Sequence, residues 1–210
     1  MTEEHETKIE EIPKTSILNR LHLENRPKAL GTLFFGILGA IIYVVASLIP
    51  MPYMMISILK FGLLLGVVIV ALTGAIRGPV AGFLAGYLGE IFYGLFVYNV
   101  VVAMTFHAAA YGILGLITGL VTYDFTNGKS LAKLSVLSIV GFLFTVLLSV
   151  VVGIVIEGYS VMAAIAFSML PLITLGLPTL LFLTPVMARL WYGFMQKMKA
   201  IASAEIESSE

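Results

Sequence analysis

Three ionisable residues lie within or beside long apolar segments of this chain, namely Lys60, Glu90 and His107. An ionisable side chain inside an apolar membrane segment is costly to desolvate, so it is a functional hypothesis by default. Glu90 follows Pro79 by roughly eleven residues, which is about 16 Å along a helix axis. A protonated or partnered structural acid is the alternative interpretation of Glu90.

Glu90 and His107 are expected to lie at a similar depth. A helix that ends near Phe96 places Glu90 about 9 Å below the outer surface, and a helix that starts near Val100 places His107 about 10 Å below it. A short turn joins the two helices, so the pair is predicted to line a cavity open to the outside. A purely structural histidine is the alternative.

Lys60 follows the segment Pro50–Ser57, which two prolines keep from forming helix. This methionine-rich loop is a candidate lid over the cavity. Lys60 would then be a polar contact at the outer mouth of the second helix, and the alternative is a lysine that extends to the membrane interface. Weaker candidates for ligand contacts are the polar and aromatic residues Tyr53, Tyr87, Tyr93, Asn99 and Tyr111.

The composition indicates a membrane protein. The chain has 210 residues, 60% hydrophobic and 11% charged, and its mean hydropathy is +1.04. A soluble domain carries roughly 25% charged residues, so this chain has too few polar groups to cover a water-facing surface. With no cysteine, disulfides and thiol catalysis are excluded. There is no phosphate loop, paired-histidine metal motif or nucleophile elbow, so no enzyme activity, metal, cofactor or nucleic-acid partner is expected.

The apolar runs predict an all-α integral membrane protein, a bundle of six transmembrane helices of about 20 residues each. We expect an acidic and then amphipathic N-terminal segment at 1–28, the membrane domain at 29–190 and a C-terminal tail at 191–210. The six spans are predicted at about 30–49, 60–76, 79–96, 100–121, 131–156 and 165–188. Prolines in the sixth span predict bends that leave carbonyl groups free, at Pro171, Pro178 and Pro185.

The basic residues predict the orientation, because cytoplasmic loops carry an excess of lysine and arginine. With both termini in the cytoplasm, only Lys60 falls on the outer side. The other eleven of the twelve basic residues fall inside: Lys8, Lys14, Arg20, Arg26, Lys28, Arg77, Lys129, Lys133, Arg189, Lys197 and Lys199. An even number of spans is required to bring both basic ends to the same side.

Small residues recur at every fourth position in two spans, a pattern that lets helices approach closely in lipid. In the first span they are Thr32, Gly36 and Ala40, and they predict either packing inside the bundle or docking against a second membrane protein. In the third span two neighbouring stripes predict internal packing: Gly78, Gly82 and Gly86, and Ala81, Ala85 and Gly89.

Three segments resemble the S components of energy-coupling factor (ECF) transporters. They are the small-residue stripe of the first span, the run Gly-Pro-Val-Ala-Gly-Phe-Leu-Ala-Gly-Tyr-Leu-Gly-Glu at 78–90, and the part of the fourth span that starts with Phe-His-Ala at 106–108. The resemblance implies a six-helix subunit in the plasma membrane of a prokaryote. Such a subunit binds a vitamin and works with a T subunit and two cytoplasmic ATPases, and its first-span stripe docks on the T subunit.

High-affinity capture of a small water-soluble vitamin is therefore the expected function, with Glu90, His107 and Lys60 as polar contacts. The resemblance also implies that the loaded subunit rotates in the membrane against the T subunit. Two alternatives stay open: an intramembrane enzyme that uses Glu90 and His107, and a standalone carrier driven by protons through Glu90. Turnover without an ATPase would favour the first, and uptake abolished by a protonophore would favour the second.

Overall fold

The protein is helical over most of its length. The structure, a computed structural model, describes residues 26–49, 54–56, 59–61, 63–99 and 102–207. The elements in chain order are α1 (Arg26–Leu48), β1 (Met54–Ile56), β2 (Leu59–Phe61), α2 (Leu65–Arg77), α3 (Pro79–Tyr98), α4 (Val102–Gly119), α5 (Gly128–Val155), α6 (Val161–Ala164), a π-helix (Ile165–Met169) and α7 (Leu170–Glu207). The prediction of an all-α membrane protein is confirmed by this architecture, since α6, the π-helix and α7 follow one another without a break as the sixth rod of the bundle.

Four of the described helices are long and apolar enough to cross a membrane: Pro27–Leu48, Pro79–Val97, Gly128–Val155 and Val161–Ser203. Helix α2 is apolar but has only 13 residues, about 20 Å of helix, which is shorter than a hydrocarbon core of about 30 Å. The bundle has two distinct ends. The basic end carries Arg77, Lys129 and Arg189, and the opposite end carries the ribbon and the turn between α5 and α6.

The segment between α1 and α2 differs from the prediction. A loop over Pro50–Ser57 and a helix from Lys60 were expected, but β1 and β2 form a short antiparallel ribbon in which Met55 pairs with Lys60. Helix α2 begins only at Leu65. Ribbon backbone can satisfy its hydrogen bonds across the pair, so the described residues 54–56 and 59–61 of this connection form strands.

The sixth rod changes from π to α geometry next to a proline. The π-helix Ile165–Met169 is followed at once by Leu170 and Pro171. Because proline donates no backbone hydrogen bond and crowds the carbonyl four residues earlier, the wider π turn accommodates it. Pro178 and Pro185 lie inside α7, which continues to Glu207. Most of the expected tail at 191–210 is therefore helical.

Glycines bring α2, α3 and α4 into backbone contact at the centre of the bundle. A Cβ atom at Gly115 of α4 would overlap the backbone of Gly82 in α3, and one at Gly74 of α2 would overlap the Gly115 carbonyl. The prediction that the small residues of the third span pack internally is confirmed, since Ala81 and Ala85 have no exposed surface. We call these contacts the glycine seam.

The small-residue stripe of α1 also faces inward. Thr32 and Ala40 have no exposed surface, and a Cβ at Gly36 would meet Leu84 and the Ala81 carbonyl of α3. This placement corrects the expectation that Thr32, Gly36 and Ala40 form an exposed docking face, because α3 already covers them. The surface of α1 is formed by its other side, which exposes Leu33, Phe34, Ile37, Ile41 and Val45.

Candidate ligand-binding site

Glu90 lies in the half of α3 nearer the opposite end of the bundle, and it has a partner on α1. The Tyr43 hydroxyl donates a hydrogen bond to Glu90 Oε2. The glycine seam places α3 against the rest of the bundle, and Gly89 lets the Tyr43 ring lie directly against α3, because a Cβ there would overlap the ring. The carboxylate is thus held by a buried phenol donor rather than by a basic residue.

Tyr43 is the most enclosed member of this site, with 4% of its surface exposed. Its ring packs edge-on to Tyr111 of α4, with 6.2 Å between the centroids. On its other side it lies against Gly66 of α2, where a Cβ would overlap both the Tyr43 ring and the Ser47 hydroxyl. Three helices therefore fix the direction in which the phenol donates.

A cavity of about 120 Å³ lies beside this pair. Its wall combines one carboxylate and four hydroxyl groups with aromatic rings and aliphatic side chains, an arrangement typical of sites that orient a small ligand through a few polar atoms. The lining residues are Tyr43, Ala46, Ser47, Ile49, Leu63, Leu64, Leu65, Gly66, Glu90, Tyr93 and Tyr111. Thr179 of α7 supports this wall, because its Oγ1 accepts a hydrogen bond of 3.0 Å from the Leu64 backbone N–H.

His107 has a different partner from the one predicted. Its Nε2 lies 3.0 Å from Oε1 of Glu157, which sits in the turn between α5 and α6. His107 also interacts with Glu90 electrostatically, but its hydrogen bond goes to Glu157. The prediction of a His107–Glu90 pair lining one cavity is corrected in this respect, since the hydrogen-bond partner of His107 is the partly buried Glu157.

The remaining predicted contacts divide into three groups. Tyr93 and Tyr111 line the cavity. Tyr87 stacks on Phe83 at 5.6 Å instead, and Asn99 is exposed at the end of α3, where its φ of 52° places it in the left-handed conformation that ends a helix. Lys60 is on β2, at a position for which the structure describes only the backbone, and Tyr53 lies outside the described residues.

Tyr43 and Ser47 were not among the predicted contacts. The sequence contains a signal that points to them, because they continue the inward face of α1 beyond Gly36 and Ala40 at helical spacing. Once that face packs on α3, the next residues along it, Tyr43 and Ser47, must point towards the part of α3 that carries Glu90. The lining by Leu63–Gly66 has no comparable signal, since it depends on where the ribbon ends.

The fold and the cavity define a multi-pass membrane protein with a ligand site at one end of a helix bundle. Residues 28–188 match the family of ECF-type riboflavin transporter S components. Because this match covers most of the chain, the protein belongs to that family, and the resemblance to ECF S components is confirmed. Searches of curated proteins and of solved structures found no match.

Proposed function

We propose that this chain is the binding subunit for riboflavin uptake and that the cavity beside Glu90 is its vitamin site. The observation that carries the proposal is the family match over residues 28–188, joined to a cavity lined by one carboxylate and three tyrosines. The basic end would face the cytoplasm, in keeping with the distribution of lysine and arginine. The cavity would then open towards the outside.

The chemistry of the lining suits a flavin. An isoalloxazine ring is planar and aromatic, and rings of this kind gain energy from offset or edge-on contact with tyrosines such as Tyr93 and Tyr111. Glu90 is an acceptor for an N–H or hydroxyl donor of the ligand, and a hydrogen bond to a charged group contributes about 1.5–3 kcal/mol. The Tyr43 phenol keeps the Glu90 carboxylate oriented.

Binding of a whole vitamin requires a larger cavity than the 120 Å³ described, because ligand pockets commonly measure about 300–1,000 Å³. The wall formed by Leu63, Leu64 and Leu65 is the part that can move with the smallest loss of packing contacts, because it lies between the ribbon and α2. We expect this wall to shift when riboflavin enters and the methionine-bearing segment before it to follow. The predicted lid function of the 50–57 segment therefore stays part of the proposal.

The proposed partners are a T subunit in the membrane and two cytoplasmic ATPases, as in the resemblance to ECF transporters. Since α3 covers the small-residue stripe of α1, we place the T-subunit contact on the exposed side of the same helix. Phe34 and Ile41 are representative of this side, with 63% and 51% of their surfaces exposed. The chain would bind the vitamin alone and would require its partners for transport.

Riboflavin titration of the purified chain, followed by quenching of flavin fluorescence, tests the proposal. We expect one site per chain, saturation without ATP, and no competition from an excess of thiamine or biotin. Uptake in vesicles should appear only when the T subunit and ATPases are present. Absence of flavin binding would remove the riboflavin assignment, and uptake by the chain alone, abolished by a protonophore, would support a proton-driven carrier instead.

A further inference from the structure

A second cavity lies nearer the basic end and has no role in the proposed vitamin site. It measures about 230 Å³ and is formed between α1, α2 and α7. Phe35, Leu38 and Ile42 supply one wall, and Ile76, Met187 and Trp191 supply much of the rest. Apart from the Thr73 hydroxyl the lining side chains are apolar, and we call this feature the α1–α7 cleft.

An arginine lies beside two of the residues that line the α1–α7 cleft, Phe35 and Ile76. Arg77 is the last residue of α2, directly after Ile76, and its Cζ lies 5.3 Å from the centroid of the Phe35 ring. Gly31 allows this approach, because a Cβ there would lie 2.5 Å from Nη2 of Arg77. The guanidinium therefore lies against α1 at Gly31, one helical turn before Phe35. Both Phe35 and Ile76, which line the cleft, are its neighbours.

The charge of Arg77 has no carboxylate partner within the described part of the chain, and its Nε is buried without a hydrogen bond there. The Phe35 ring stabilises a cation by only about 0.5–2 kcal/mol, and it offers no acceptor to the buried Nε–H. A planar guanidinium presents paired donors that match the oxygens of a phosphate. Its position at the basic end is the level at which lipid phosphates lie.

We propose that the α1–α7 cleft binds one anionic phospholipid, with its phosphate on Arg77 and one acyl chain in the cleft. A charged site that leads directly into an apolar channel fits a molecule with a head and a tail, and basic pockets between membrane helices bind anionic headgroups. The proposal does not depend on the vitamin assignment.

Trp191 provides a direct probe, because it lines the α1–α7 cleft and is the only tryptophan in the sequence. The chain is reconstituted in nanodiscs whose lipid carries bromine on the acyl chain near the headgroup, and quenching of Trp191 fluorescence is measured. Brominated phosphatidylglycerol is compared with brominated phosphatidylcholine in mixtures of varied ratio. We expect about fivefold preference for phosphatidylglycerol at Trp191, which corresponds to ~1 kcal/mol for one basic residue.

Two pairs of variants separate this site from general membrane contact. Arg77→Gln should abolish the preference, whereas Arg189→Gln, an exposed arginine at the same end, should retain it. Leu38→Phe narrows the cleft and should reduce quenching by phosphatidylglycerol, whereas Leu33→Phe, which is on α1 but outside the lining, should leave it unchanged. The Leu38 pair keeps the test decisive if Arg77→Gln fails to fold.

Equal quenching by the two lipids in the unaltered chain would overturn the proposal, as would a preference that survives Arg77→Gln. A preference lost equally in Arg77→Gln and Arg189→Gln would mean general attraction of basic residues to the anionic surface and would also overturn it. If Arg77→Gln keeps the lipid preference but no longer co-purifies with a T subunit, the guanidinium pairs with a protein carboxylate and the lipid site is wrong.

Discussion

Glu90 and Glu157 lie towards the same end of the bundle, and each bonds to a ring-bearing residue on another helix. Glu90 accepts from Tyr43 and lines a cavity. Glu157 meets His107 at 3.0 Å in the turn after α5, with 21% of its side chain exposed and no place in that cavity. The two residues carry the same functional group, but only the Glu90 carboxylate lines the cavity.

The difference between Glu90 and Glu157 indicates that the role of a carboxylate in a membrane protein depends on its hydrogen-bond partner. A neutral phenol orients Glu90 without neutralising it, so the carboxylate retains acceptor capacity for a ligand. The hydrogen bond between His107 and Glu157 instead ties α4 to the α5–α6 turn. The proposal therefore gives ligand recognition to the Tyr43–Glu90 pair and a structural role to the His107–Glu157 pair.

The largest expected effect comes from a substitution that disrupts the glycine seam, which positions the helices that carry Glu90 and His107. Gly115→Leu should prevent native packing, because its side chain would overlap the Gly82 backbone and backbone cannot yield as a side chain can. Overpacking costs of about 1–3 kcal/mol or more are expected. Size-exclusion chromatography and thermal unfolding in detergent measure the loss.

The control for this prediction is Gly193→Leu, since nothing lies within 4 Å of a Cβ at Gly193. That variant should fold like the unaltered chain, because leucine is also the better helix former. A Gly115→Leu protein with unchanged melting temperature would mean that α3 and α4 are not in backbone contact. The placement of Glu90 relative to His107 would then need revision.

Tyr43→Phe tests the Tyr43–Glu90 hydrogen bond alone, because it removes only the phenol oxygen. We expect riboflavin affinity to fall about tenfold, since loss of a hydrogen bond to a charged group costs about 1.5 kcal/mol. Tyr87→Phe is the matched control, because Tyr87 stacks on Phe83 outside the cavity, and it should bind riboflavin normally. Similar losses in both variants would show that the Tyr43–Glu90 bond has no special part in binding.

The second pair should report on stability instead of affinity. His107→Gln and Glu157→Gln should each lower the free energy of unfolding by about 1 kcal/mol, because each replaces one partner of a half-buried hydrogen bond. The double variant should lose little more than either single one, since the two residues share the interaction. Riboflavin affinity should change by less than about twofold, and a larger fall would return His107 to the vitamin site.

A third carboxylate, in the loop between α4 and α5, gives the smallest expected effect. The backbone N–H and the hydroxyl of Thr126 donate to Asp124, and these hydrogen bonds lower the pKa of its carboxyl group. A lowered pKa stabilises the fold above the unfolded value, and the contribution is lost as pH falls through the folded one. Asp124→Asn should lower the melting temperature slightly at neutral pH and not in strong acid. An equal shift at both would contradict this account.

Much of the fold follows from local patterns in the sequence. The positions where helices begin and end are indicated by the continuous apolar runs, by Gly78-Pro79 and by the polar segment before Gly128. Glycines at every fourth position of α3 predict that this helix lies at the centre of the bundle. Glu90 stands out because a carboxylate is costly in that setting. Glu90 was therefore predictable, from residue type and depth, as a candidate for the proposed vitamin site.

The partners of the ionisable residues were not predictable in the same way. Depth alone made His107 and Glu90 neighbours, but hydrogen bonding depends on helix rotation and on the turn that brings Glu157 to His107. The stripe of α1 had two interpretations because small residues favour close packing with any helix, and only the position of α3 distinguishes them. The ribbon between α1 and α2 depends on pairing that no periodicity reveals.

One titration tests the central claim most directly. Riboflavin affinity is measured for the unaltered chain, for Glu90→Gln and for Glu157→Gln, which change the same functional group at the two sites. The account predicts that affinity falls tenfold or more in Glu90→Gln, from about 1.5–3 kcal/mol for a charge-assisted bond, and is nearly unchanged in Glu157→Gln. Equal affinities in all three, or a larger loss in Glu157→Gln, would contradict the assignment of the cavity as the vitamin site.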